Sequence, residues 1–62
     1  MSNEATKEAA RWLRDRAESY GRDVHALRDA GDTPAAAAYG TIRDELRLCA
    51  DQIDGTEQHE DL

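Results

Sequence analysis

The chain has 62 residues, 14 of them acidic and 8 basic, for a formal net charge of −6. A length that buries only about 60% of the unfolded surface allows at most one domain, one that needs a disulfide, a metal or a partner chain to be stable. The single cysteine, Cys49, excludes an internal disulfide, and the acidity disfavours nucleic acid and anionic membranes unless the cations are segregated.

No apolar run approaches the length of a signal peptide or a membrane span. A lone cysteine also suits a reducing compartment. Both point to a cytoplasmic protein with no membrane association.

The first predicted helix runs from about residue 3 to residue 30. Apolar or small side chains fall at Ala9, Leu13, Ala17, Tyr20, Val24 and Leu27, spaced 4, 4, 3, 4 and 3, with Trp12 beside the line. That spacing is the packed stripe of a helix and not the alternation of a strand. Ser2 or Asn3 is expected to cap its start. The stripe keeps its phase through Gly21, which predicts one long helix rather than two.

Between the helices, Gly31 is placed to end the first in the left-handed conformation. Asp32 or Thr33 can then cap the second, with Pro34 at its first position. The predicted turn is residues 31–34. So short a link makes two helices of similar length run antiparallel, side by side.

The second predicted helix covers about residues 34–54. Ala35, Tyr39, Ile42, Leu46, Cys49 and Ile53 are spaced 4, 3, 4, 3 and 4, close to a heptad, and Leu48 broadens the stripe. Ala35 to Ala38 favour helix and allow close approach near the turn. Asp54-Gly55 reads as a stop, which defines a hairpin over residues 1–55 and an acidic, flexible tail over residues 56–62.

The expected fold is therefore all-α, an antiparallel helical hairpin. Two helices cannot enclose each other's stripes, so each keeps an open flank. A second copy would close it, making a homodimeric four-helix bundle. The expected core and self-association residues are Leu13, Ala17, Tyr20, Val24, Leu27, Ile42, Leu46, Cys49 and Ile53. The levels expected to meet are Val24 with Ile42 and Tyr20 with Leu46. Trp12 and Leu48 are expected at the open flank, as a possible interface with this or another protein partner.

Reactive chemistry finds little support. His25, His59 and Cys49 do not share ligand spacing, so neither metal nor cofactor is expected. Cys49 falls on the apolar stripe, where a thiol is ordinarily inert, and no residue pattern marks an enzyme. Arg11, Arg14, Arg22, Arg43 and Arg47 are the candidate nucleic-acid contacts, but acids interrupt them and a solvated salt-bridge surface explains them better. The expected function is non-catalytic: a small interaction or regulatory protein. Two alternatives remain, a nucleic-acid-binding hairpin dimer and an acidic inhibitor that occupies a basic groove.

Overall fold

The computed structural model describes residues 3–59, with side-chain surroundings for residues 4–54. Two α-helices of 27 residues each, α1 (Asn3–Asp29) and α2 (Thr33–His59), pack against each other as an antiparallel hairpin. Residues 60–62 of the expected tail, the proposed Ser2 cap and the side chains of residues 55–59 lie outside the described residues.

The turn is built from two interlocked end motifs. Gly31 takes a φ of 85°. Its N–H donates to the Arg28 carbonyl at 3.0 Å, and the Asp32 N–H donates to the Leu27 carbonyl at 2.9 Å. This pair of bonds is a Schellman cap, and it satisfies carbonyls that the helix end leaves without partners. Asp32 then begins α2. Its carboxylate accepts from the Ala35 N–H at 3.3 Å, and its carbonyl accepts from the Ala36 N–H at 3.0 Å. Asp32 is thus the N-cap. Pro34 follows at the second helical position, not the first as expected, where its missing N–H again costs no bond.

α1 passes unbroken through Gly21. α2 passes through the expected Asp54-Gly55 stop and continues to His59. A glycine costs a helix about 1 kcal/mol relative to alanine, which weakens it without ending it, and no proline follows to terminate it.

The buried seam differs from the expected one. Among the described residues, the buried apolar side chains are Ala10, Ala17, Val24, Ala36 and Ala50. Ala10 replaces Ala9 in α1, and Ala36 and Ala50 replace Ala35 and Cys49 in α2. The inward line of α2 is therefore Ala36, Arg43 and Ala50, one heptad apart, matching Ala10, Ala17 and Val24 of α1. Small side chains let the helix backbones approach closely, so the alanine lines meet and the bulky residues swing aside.

Tyr20 meets Tyr39, with ring centroids 5.4 Å apart. Val24 lies against Gly40, where an added Cβ would come within 4.0 Å of its Cγ2, two residues from the expected Ile42. The tight turn sets this register, because α2 starts at Thr33 immediately after the Asp32 cap.

Candidate functional site

A single layer of two helices has two broad faces, and here they differ in chemistry. One is polar. Arg14 Nη1 lies 2.7 Å from Asp54 Oδ2, and its Nη2 lies 3.0 Å from Asp51 Oδ1. The hydrogen bond to Asp54, then that to Asp51, raises the Arg14 pKa above its ordinary value. A base with a raised folded pKa contributes its stability at every pH below the ordinary value, so the clamp on the arginine side holds throughout the physiological range. Arg14 and Arg47 border a shallow depression with Glu18 and Asp51, where acid and base balance.

Arg43 belongs to the same face although its Cα lies on the inward line. Its Cδ lies 3.5 Å from where a Cβ on Gly21 would be, and its Nη2 lies 3.8 Å from the equivalent point on Gly40. The two glycines therefore flank the stem of this arginine as it crosses the seam. Its Nε reaches Asp44 Oδ1 at 3.1 Å. The apolar stem stays at the packed seam while the charged head remains in water.

The other face is apolar and open. Leu13, Tyr20 and Leu27 of α1, and Leu46 and Ile53 of α2, are only half-buried. Tyr39 sits at the margin of exposure, Ile42 is 40% exposed, and Cys49 is exposed. Helical spacing puts all eight side chains on one side of the layer, opposite the Arg14–Asp54 clamp. Most of the residues expected to form the core thus line one uncovered face, and of that set only Ala17 and Val24 are buried within the hairpin.

The magnitudes are uneven. Full burial of a Leu, Ile or Tyr-sized side chain contributes about 1.5–3 kcal/mol, but a single methyl-sized group contributes about 0.8 kcal/mol. An alanine seam therefore leaves the larger part of the available apolar stabilisation on the half-exposed face.

Trp12 lies at the edge of this face, 61% exposed. The Arg16 guanidinium carbon is 5.9 Å from its ring centroid and 5.7 Å from that of Tyr20. Leu48 does not join the flank. Although 58% exposed, it falls on the opposite side of α2 from Leu46 and Ile53, a half-turn away from Leu46.

Of the arginines named for nucleic-acid contact, Arg14, Arg43 and Arg47 share the polar face and Arg11 lies beside Arg14, but acids interrupt them. Arg14 and Arg43 are ion-paired, and Arg22 donates to Ser19 Oγ at 3.2 Å. Among the described residues, no three His, Cys, Asp or Glu side chains are grouped to hold a metal ion, and no helix is long and apolar enough to cross a membrane. No protein family, curated protein or solved structure matches the chain.

Proposed function

We propose that this is a small non-catalytic interaction protein that acts through its open apolar face, and that the face is covered by a second copy to give a homodimeric four-helix bundle. The observation that carries this reading is the division of the apolar residues. The interhelical seam is alanine and valine, whereas Leu13, Tyr20, Leu27, Leu46 and Ile53 remain half-exposed together with Ile42. A contiguous apolar face of this kind is the usual mark of an interaction surface.

A second copy suits the face because the hairpin's own surfaces are complementary in kind. Burial of the face doubles the apolar layer into a two-layer core, the arrangement that allows short helical chains to be stable. The acidic composition and the paired arginines favour this reading over nucleic-acid binding. A regulatory role would then be carried by surfaces that exist only in the dimer.

Sedimentation equilibrium across a concentration series tests the proposal. The expected mass is twice 6.9 kDa, and Ile42→Glu is expected to return the protein to the monomer mass. A wild-type chain that remains monomeric at all concentrations overturns self-association.

A further inference from the structure

We propose that the second copy lies on the open face with its turn at the same end, α1 of each copy against α2 of the other, and that Arg16 pairs with Glu45 of the second copy. This rests on the self-association reading above and adds the arrangement to it. Two two-fold axes bring the open faces together over their full length. An axis along the hairpin keeps both turns at one end and lays each α1 on the other copy's α2. An axis across the hairpin puts the turns at opposite ends and lays each helix on its own counterpart.

Residue levels and charge decide between them. The Val24–Gly40 and Gly21–Arg43 contacts fix where α1 and α2 are level. Arg16 lies five residues before Gly21 and so is level with Leu48, five residues after Arg43, which leaves Glu45 within one turn of it. Both are mid-helix, in Asn3–Asp29 and Thr33–His59 respectively. Helical spacing puts Arg16 on the open face of α1, and Glu45, two residues past the inward Arg43, on the side of α2 away from α1, where the face meets solvent.

Under the axis across the hairpin, mid-helix residues meet their own copies. Arg16 then faces Arg16, a like-charge contact midway along the interface. The axis along the hairpin removes that contact and brings Arg16 of each copy within a turn of Glu45 of the other. Charge pairing of this kind selects one docking over another more than it adds affinity.

The two groups are also available and prepared. Arg16 is held over the Trp12 and Tyr20 rings, and among the described residues neither it nor Glu45 has a salt bridge within the chain. Stacking restrains the guanidinium before a carboxylate arrives, which lowers the ordering cost of the pair.

Charge exchange tests the arrangement. Arg16→Glu and Glu45→Arg are each expected to raise the dimer Kd about tenfold, and the double variant is expected to restore the wild-type value. Circular dichroism confirms that each variant stays helical. A wild-type dimer in which the double variant is no tighter than the single ones overturns the arrangement while leaving self-association standing. A wild-type monomer at every concentration removes both.

Discussion

Tyr20 meets Tyr39 edge to face, with centroids 5.4 Å apart and an interplanar angle of 66°, and because Gly21 is level with Arg43 the two rings reach each other across more than one helical turn. Aromatic pairs in this geometry contribute about 0.5–1.5 kcal/mol beyond the area they bury. A double-mutant cycle of Tyr20→Ala and Tyr39→Ala, read by urea unfolding, should return a coupling energy in that range. A coupling near zero would show that the two rings do not meet.

The seam makes a sharper demand on size. Ala17 and Ala50 are 1% and 0% exposed, so a larger side chain at either position must push the helices apart. Ala17→Leu and Ala50→Leu should each destabilise the protein by about 1–3 kcal/mol. Ala9→Leu, on the exposed neighbouring line, should be tolerated within about 0.5 kcal/mol. Equal losses at positions 9 and 17 would mean that the alanine line does not face inward.

At the turn, Gly31 has a φ of 85° with nothing within 4 Å of an added Cβ. The cost of Gly31→Ala is therefore conformational and not steric, about 1–2 kcal/mol. Asp32→Ala removes the carboxylate that accepts from Ala35 and should cost about 0.5–2 kcal/mol, while Asp32→Asn should keep most of the cap. Thermal unfolding of the three variants checks the order.

Gly21 and Gly40 invite the opposite change. An added Cβ would come no closer than 3.5 Å to Arg43 at position 21 and 3.8 Å at position 40, both ordinary contacts. Since α1 and α2 are continuous at these glycines, Gly21→Ala and Gly40→Ala should each stabilise the protein by about 0.5–1 kcal/mol. A loss of stability at either position would show that the Arg43 stem cannot shift to accept a methyl group.

Much of this protein is legible in its sequence because helices and turns are local events. The 3–4 spacing of apolar residues determined both helices. Gly31, Asp32 and Pro34 determined where one ends and the next begins, since the left-handed residue, the cap and the missing N–H each act within a few residues of themselves. The continuity of α1 through Gly21 was readable in the same way, from the unbroken phase of the stripe. The Asp54-Gly55 stop was misread, because a glycine ends a helix only where the chain adopts a positive φ and residue type alone does not force it to do so.

Only the tertiary structure decided which part of each stripe faces the other helix. The apolar stripes are wide, and periodicity locates a stripe without choosing between neighbouring lines such as Ala9 and Ala10, or Cys49 and Ala50. Close approach of two backbones makes that choice. It drew the alanine lines inward, ran the Arg43 stem past Gly21 and Gly40, and left Leu13, Tyr20, Leu27, Leu46 and Ile53 half-exposed on one face. Helix formation depends on neighbours in sequence, whereas the packed line depends on how near the second helix can come.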